Sequence, residues 1–169
     1  MKKIKVAYIV STLGQTGPTK QLFNLVKNLD QKVFSAEIIT LSQEPRLSLW
    51  EDFHKLNVKL HTFSLSRMSG LFFAHPLLSR LLHRIRPDII HTQGFRPDYL
   101  AKNLRGIPLF STQRNNPFSD YPMLYGSALG YLLALAHIRV LRRIQNLVVC
   151  SDVIKEGNKK YSITSMCIQ

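Results

Sequence analysis

The residues of this chain that could do chemistry lie in three short segments rich in glycine, amides and basic side chains. The first segment contains Gly14, Gln15, Thr16 and Gly17, and the second contains His91, Gln93, Gly94 and Arg96. The third contains Arg114, Asn115, Asn116 and Asp120. Many donors and few carboxylates suit the binding of a phosphate or a polyhydroxylated ligand. A hydrolase that needs a paired acid and base is not favoured.

The first segment joins a predicted strand to a predicted helix. Residues 4–11 are apolar and β-branched, as a buried parallel strand requires. Pro18 suits the first turn of a helix that continues to residue 29. The N–H groups at such a helix start can bind a phosphate. The Gly-x-x-Gly spacing is not the dinucleotide fingerprint. Alternatively, the two glycines only permit a tight turn and have no role in phosphate binding.

Strands and helices are predicted to alternate along the whole chain. Strands are expected at residues 4–11, 36–41, 58–63, 88–92, 107–112 and 147–150. Helices are expected at residues 18–29, 49–56, 76–86, 97–104, 123–144 and 152–161, with loops at 64–70 and 113–122. This alternation predicts a single α/β domain over residues 1–169, a Rossmann-like, doubly wound parallel sheet of six or seven strands with helices on both faces.

The predicted topology brings the three segments together. In the strand order 3-2-1-4-5-6, the loops after the first and fourth strands face each other across one crevice. The loop after the fifth strand lies at the edge of the same crevice. We therefore expect a ligand site near Gly14, Gly94 and Arg114.

Two residues of this crevice have alternative interpretations. His91 ends a buried strand, where it is either a structural histidine or a ligand-binding or catalytic group. Arg114 can bind a phosphate through its planar fork, or brace its loop through an ion pair with Asp120.

Asp98 is expected to favour the start of the helix that follows Gly94.

The charge balance points to anionic partners. The chain has 23 Lys and Arg against 10 Asp and Glu, a formal net charge of +13. Arginines 139, 142 and 143 follow an apolar helix, and arginines 80, 84 and 86 follow Leu71-Phe72-Phe73. Attachment to an anionic membrane surface explains this pattern, and so does a solvated basic face beside a buried helix. No nucleic-acid module is recognisable, so nucleic acid is not an expected partner.

The cysteines and the hydropathy limit the remaining classes. Cys150 and Cys167 lack metal-ligand spacing, and Cys150 is expected to be an inert core thiol. No metal or other cofactor is expected. The sequence shows neither a signal-peptide pattern nor an apolar run of about 18 residues. We expect a cytoplasmic protein, with a peripheral position on the inner face of the plasma membrane as the alternative.

Several motifs resemble bacterial glycosyltransferases of the family-4, GT-B type. They are Lys5-Val6-Ala7-Tyr8-Ile9-Val10 with Gln21-Leu22-Phe23-Asn24-Leu25, Arg86-Pro87-Asp88-Ile89-Ile90-His91-Thr92-Gln93-Gly94, Ser111-Thr112-Gln113-Arg114-Asn115-Asn116-Pro117, Asp120-Tyr121-Pro122-Met123 and Val148-Val149-Cys150-Ser151. The resemblance covers nearly the whole chain. Arg114 stands where many relatives have histidine, and the glycine turn lacks an adjacent Gly-Gly pair.

The resemblance implies the N-terminal, acceptor-side domain of a retaining, metal-independent glycosyltransferase. It implies that Gly14–Gly17 approaches the phosphates of a nucleotide-sugar, which is a substrate bound mainly by a C-terminal domain absent here. His91 and Arg114 become the candidate catalytic residues, and Gln93, Gly94, Arg96, Asn115 and Asp120 the acceptor side. The expected acceptor is a glycan, often lipid-linked, of a surface polysaccharide or lipopolysaccharide.

In the family, the paired-glutamate donor motif belongs to the second domain. The chain alone is therefore expected to be inactive, with an open and mobile glycine turn. Two other hypotheses remain at this stage: a non-catalytic basic module that binds membrane or glycolipid, and a nucleotide-binding domain that uses the Gly14 loop alone.

Overall fold

The computed structural model describes residues 2–167, apart from the side chains of residues 67–72, and contains one parallel sheet of seven strands. The strands are β1 (Ile4–Val10), β2 (Phe34–Ser42), β3 (Lys59–Leu65), β4 (Ile89–Gln93), β5 (Leu109–Gln113), β6 (Asn146–Val149) and β7 (Met166–Cys167). Their order is β3-β2-β1-β4-β5-β6-β7, and every pairing is parallel. The predicted doubly wound order is confirmed, with β7 added at the edge.

Seven helices connect or follow these strands in the described residues. They are α1 (Gly17–Lys27), α2 (Trp50–Lys55), α3 (Arg67–Ile85), α4 (Phe95–Ala101), α5 (Pro117–Tyr125), α6 (Ser127–Leu141) and α7 (Asp152–Lys159). The prediction placed a loop at 64–70, but α3 already begins at Arg67. The sequence of its first turns has little apolar periodicity, so it gives no signal for the start of the helix.

The alternation of side chains along the central strand builds a core on each face of the sheet. Ala7 and Ile9 of β1 face one cluster, which includes Leu78 and Leu82 of α3. Tyr8 and its neighbours face the other cluster, which α1 and α2 complete. Because β1 is buried on both faces, it reads as a continuous apolar run and not as an alternating one.

The segment after β5 differs from the prediction. Residues 113–122 were expected to be a loop, but α5 begins at Pro117, with the Asn116 side chain accepting from the Phe118 N–H over 3.1 Å. The expected long helix 123–144 is two helices, because Gly126 has a φ of 79° and breaks the chain direction. Gly130 does not interrupt α6; it lets α6 approach Pro122 of α5 so closely that a Cβ would lie 2.4 Å from the Pro122 backbone.

Candidate functional site

The start of α1 and the carboxyl ends of β4 and β5 border a cavity of about 540 Å³. Its walls combine the start of α1, the loop after β4 and the loop after β5. They include Gly17, Pro18, Gln21, Gln93, Gly94, Asp98, Thr112, Gln113, Arg114, Asn115, His137 and Cys150. The structure thus brings together five of the sequence-predicted residues: Gly17, Gln93, Gly94, Arg114 and Asn115.

Arg114 joins the three walls of this cavity. Its Nε donates to Oε1 of Gln21 on α1 over 2.7 Å, and its Nη1 donates to Oε1 of Gln93 on β4 over 2.9 Å. Both partners are neutral amides, so they orient the guanidinium without neutralising it. Burial lowers the pKa of Arg114, but an arginine remains charged at neutral pH.

The charge of Arg114 has no anionic partner among the described side chains. The alternative of a bracing ion pair with Asp120 is wrong, because no carboxylate of the described side chains pairs with Arg114. Asp120 lies in the first turn of α5 instead. An oriented and uncompensated guanidinium in a cavity is a binding group for phosphate or carboxylate.

The start of α1 adds a second group that favours an anion. Thr16 caps the helix by accepting from the Thr19 N–H over 3.4 Å. Gly17 is the first helical residue, and an added Cβ would meet no atom within 4 Å. There is therefore open space beside Gly17, at the positive end of the helix dipole and next to the cavity.

Gly14 and Gln15 make backbone contacts with the segment before α2. Gly14 pairs with Ser48 in an antiparallel bridge, and the Gln15 N–H donates to the Leu47 carbonyl over 3.1 Å. A Cβ on Gly14 would lie 3.1 Å from Pro45. These two residues pack against the segment before α2 and do not line the cavity.

The half-buried carboxylate of Glu44 holds the same turn in place. Glu44 accepts from the Leu13 N–H over 2.9 Å and from the Ser48 hydroxyl over 2.6 Å. Leu13 itself is fully buried. The turn that is expected to be open is therefore anchored at Leu13 and Gly14, whereas Gln15, Thr16 and Gly17 are exposed.

His91 is part of the sheet and lies beside the crevice. Its Nε2 lies 2.7 Å from Oγ1 of Thr112, and its ring centroid lies 5.3 Å from that of Tyr8. Burial, and then the charge of Arg114, lower the pKa of His91 to about 4. The imidazole is therefore neutral at physiological pH and does not line the 540 Å³ cavity.

Arg96 belongs to a second, larger cavity of about 720 Å³. This cavity lies between the ends of β1, β2 and β3 on one side and α4, α5 and α6 on the other. It is lined by Ser11, Thr12, Ser42, Gln43, Leu65, Ser66, Phe95, Arg96, Tyr121, Tyr125 and Leu133. A third cavity of about 170 Å³ shares Ser11 and Thr12 with the second and Pro18 and Gln93 with the first. The three cavities form one groove along the sheet edge.

A buried polar chain separates the two larger cavities. The Asp98 carboxylate accepts from the Thr92 and Ser111 hydroxyls, the latter over 2.8 Å. His137 Nε2 lies 3.3 Å from Asp98 Oδ2, and its Nδ1 lies 2.7 Å from the Tyr121 hydroxyl. Asp98 and His137 are 1% and 2% exposed. Asp98 therefore does more than favour the start of α4: it anchors that helix to β4 and β5.

Sequence reasoning missed several residues of the groove. Gln21 lies one helical turn after Gly17, and that spacing is a signal that could have found it. His137 interrupts an otherwise apolar helix, which is also a readable signal. Cys150 was expected to be a core thiol, but β6 ends at Val149, so Cys150 is exposed and lines the cavity with Sγ 3.7 Å from the Arg114 carbonyl oxygen.

Helices α5 and α6 expose an apolar surface beside the second cavity. We call Met123, Leu124, Tyr125, Leu129, Tyr131, Leu132 and Leu135 the α5–α6 apolar surface. Met123 is 86% exposed and Leu132 is 65% exposed. Arg139, Arg142 and Arg143 follow on the exposed side of the same helix end, and the sequence has no acidic residue from 121 to 151. The side chains of Leu71 and Phe72, which the sequence also linked to a membrane, lie outside the described residues.

Membrane-spanning helices and metal-binding clusters are both absent from the described part of the chain. None of its helices is both long and apolar enough to span a bilayer. Within residues 2–167, again without the side chains of 67–72, no cluster of three or more histidine, cysteine or acidic side chains could bind a metal ion.

Comparison with known proteins gives matches to the sequence and to the fold of this chain. The model of a family described as Glycosyltransferase Family 4 matches residues 16–166. The O-antigen biosynthesis glycosyltransferase WclY of Escherichia coli is 28% identical over 153 residues, which are 88% of this chain and 39% of that protein. The chain thus spans about two fifths of the length of this relative.

Solved structures share the fold. A glycosyltransferase from Rickettsia africae superposes with a TM-score of 0.67 at 15% identity, covering 100% of this chain and 43% of the other. A sucrose-phosphate synthase from Thermosynechococcus elongatus superposes with a TM-score of 0.72 at 11% identity, covering 97% and 47%.

Proposed function

The chain belongs to glycosyltransferase family 4, and from this premise we propose that its groove is one wall of a sugar-transfer site. The reaction moves a sugar from a nucleotide-sugar to an acceptor hydroxyl, with retention of configuration. The O-antigen biosynthesis relative supports an acceptor that is a lipid-linked precursor of a surface polysaccharide.

The observation that carries this proposal is the uncompensated guanidinium of Arg114 beside the open start of α1. Gln21 and Gln93 orient Arg114, and Gly17 leaves room for a ligand at the helix N-terminus. A diphosphate leaving group develops negative charge as the sugar departs. Fixed donors placed at that charge stabilise the transition state more than the ground state.

The second cavity suits the acceptor. Its wall contains the rings of Phe95, Tyr121 and Tyr125, hydroxyl groups from Ser11 and Ser42, and the Arg96 guanidinium. Aromatic faces and hydroxyl groups together fit a sugar ring, which is apolar on its faces and polar at its edge. The small connecting cavity lies between this proposed acceptor pocket and the proposed diphosphate position.

We propose that a second, donor-binding domain completes the site, and that residues 1–169 alone do not turn over. Catalysis needs groups placed around the transition state from both sides. No metal ion is required in this proposal, because Arg114 and the start of α1 supply the positive charge.

The experiment is a sugar-transfer assay with the chain alone and with the chain joined to a family-type donor domain. Transfer by the chain alone would contradict the two-domain proposal. In the joined enzyme, Arg114→Ala should lose at least about tenfold in rate, equal to about 1.4 kcal/mol. An unchanged rate would assign Arg114 to bracing of its loop.

The α5–α6 apolar surface supports a peripheral position on the cytoplasmic face of the membrane. Apolar side chains bordered by arginines fit the interface of an anionic bilayer. The acceptor cavity shares Tyr125 with this surface. A lipid-linked acceptor would therefore enter the groove directly from the bilayer.

Vesicle flotation tests this membrane proposal. The chain should bind vesicles that contain anionic phospholipid, bind zwitterionic vesicles less, and dissociate as salt is raised. Leu132→Glu should weaken binding, whereas Val33→Glu changes an exposed apolar residue on another surface and should not. Equal flotation of both variants would contradict the role of the surface. Strong binding combined with no sugar transfer by the joined enzyme would favour the non-catalytic membrane module instead.

A further inference from the structure

Helix α5 directly follows the loop that contains Arg114, and few residues of this helix are buried. Pro117 is its buried residue, while Met123 and Leu124 are among the most exposed apolar residues of the described chain. Apolar contacts of this helix are made by Pro117, by the partly buried Phe118 and by Pro122 against Gly130 of α6. A polar contact from the same helix adds to them.

The Tyr121 hydroxyl provides such a contact. It lies 2.7 Å from His137 Nδ1, and the two rings stack with centroids 5.8 Å apart. Burial, and then the charge of Asp98, raise the pKa of Tyr121, so the phenol stays protonated and can donate to Nδ1. The Asn115 side chain lies beside the same hydroxyl and opposes part of this shift in pKa. The phenol thus connects the Arg114 loop with α6.

Asp98 connects α6 with the sheet. With Tyr121 donating to Nδ1, the other ring nitrogen of His137 carries the hydrogen and donates to Asp98 Oδ2. The carboxylate also accepts from Ser111 on β5 and Thr92 on β4. Each buried polar group in the network of Asp98, His137 and Tyr121 has a partner. A buried polar network gives a unique geometry under that condition.

We propose that Asp98, His137 and Tyr121 form a positioning chain that fixes the loop after β5, and with it the guanidinium of Arg114, at the edge of the crevice. These residues act through Arg114 and are not themselves groups that contact the reacting atoms. The importance of these three residues for catalysis rests on the proposed function of Arg114. Their hydrogen-bonding geometry is independent of that function.

Cys150 is a native reporter of the position of Arg114. It is exposed, lines the same cavity, and its Sγ lies 3.7 Å from the Arg114 carbonyl oxygen. In a Cys167→Ser background it is the sole thiol, since the chain has two cysteines. A nearby guanidinium accelerates attack on anionic iodoacetate relative to neutral iodoacetamide. The ratio of the two alkylation rates therefore measures the closeness of the positive charge.

The experiment compares this ratio between variants. Arg114→Gln sets the baseline, and the unmodified loop should give a ratio at least about twofold higher. Tyr121→Phe should lower the ratio towards the baseline, whereas Tyr131→Phe removes an exposed hydroxyl from α6 and should leave it unchanged. A Tyr121→Phe protein that is folded and retains the full ratio would overturn the proposal.

Two substitutions of His137 each remove a different hydrogen bond of the positioning network. His137→Asn keeps a polar atom near the position of Nδ1, and His137→Gln keeps one near Nε2. The proposal expects both to lower the ratio, because either one breaks the connection between Asp98 and Tyr121. A lower melting temperature with an unchanged ratio would assign the three residues to general stability and overturn the positioning role.

The result separates this inference from the proposed function. Alkylation of Cys150 needs no sugar donor or acceptor, so a wrong assignment of the reaction would leave the ratios unchanged. Conversely, the Tyr121→Phe variant could keep the alkylation ratio of the unmodified protein while Arg114→Gln binds diphosphate more weakly. That result would reject the positioning role of Tyr121 and retain the proposed function.

Discussion

Arg114 Nη1 donates to Gln93 Oε1 over 2.9 Å, and this contact joins the loop after β5 to the carboxyl end of β4 across the crevice. Because the partner is an amide, the arginine is oriented and still carries a full positive charge. The anion binding that we propose for the groove depends on this neutrality.

Gln93→Glu tests that dependence with a nearly isosteric change. The new carboxylate would pair with Arg114 and neutralise it, so we predict at least about tenfold weaker binding of inorganic pyrophosphate. Thermal unfolding should show no loss of stability. Gln31→Glu makes the same charge change at an exposed site near the opposite sheet edge, and it should bind almost as the unmodified chain does. Equal weakening by both variants would assign the effect to net charge.

Gly17→Ala tests the open start of α1. The added methyl group meets no protein atom within 4 Å, so the fold should tolerate it. It would occupy space beside the free N–H groups, and we predict weaker pyrophosphate binding by calorimetry. Gly157→Ala is the matched control, because it also adds a methyl group into open space, within α7. It should raise stability by about 0.5–1 kcal/mol and leave binding unchanged.

His91 should make stability depend on pH. Its folded pKa is about 4 against an ordinary value of 6.5, because burial and Arg114 disfavour the charged ring. Between these two values the unfolded chain binds a proton that the folded chain does not, so stability falls as the pH is lowered through this window. The contribution is constant above it.

Removing the imidazole should remove this dependence. In urea unfolding at several pH values, His91→Gln should reduce the pH slope in this window by an amount approaching about 1.4 kcal/mol per pH unit. Arg114→Gln should raise the pKa of His91 in an NMR titration, because one cause of the shift is lost. Identical slopes for His91→Gln and the unmodified chain would contradict the burial of a neutral ring.

Gly130→Ala should destabilise the packing of α5 on α6. A Cβ there would lie 2.4 Å from the Pro122 backbone, so the two helices must separate. We predict a loss of about 1–3 kcal/mol in urea unfolding, as for other overpacked sites. Gly157→Ala again controls for the intrinsic effect of replacing a helical glycine. A neutral Gly130→Ala would show that α5 adjusts its position freely.

The strands and their order could be predicted from the sequence, because buried parallel strands have a distinct signal. Residues 6–10 are apolar and buried on both faces of β1, and the alternation with helices leaves few topologies. Edge strand β7 was missed because two residues carry no periodic signal. Helix α5 was missed because Asn116 and Pro117 are typical of a turn and equally of a capped helix start.

The site could be predicted only to the level of its loops. Topology brought Gly17, Gln93 and Arg114 together, because the carboxyl ends of neighbouring parallel strands share one edge of the sheet. The anchoring of Gly14 by residues 44–48 and the buried contact between Asp98 and His137 join residues 30 or more positions apart. No local pattern in a single sequence encodes such contacts.

We propose that the Arg114 crevice binds the diphosphate of a nucleotide-sugar. An NMR titration of the isotope-labelled chain with uridine diphosphate tests this proposal. We expect saturable, millimolar binding that shifts the Gly17 and Gly94 amides and the Arg114 Nε signal. Binding should be at least about tenfold weaker in Arg114→Gln and unchanged in Arg105→Gln, which removes an exposed arginine beyond α4. Shifts confined to other surfaces, or the same affinity in Arg114→Gln, would contradict it.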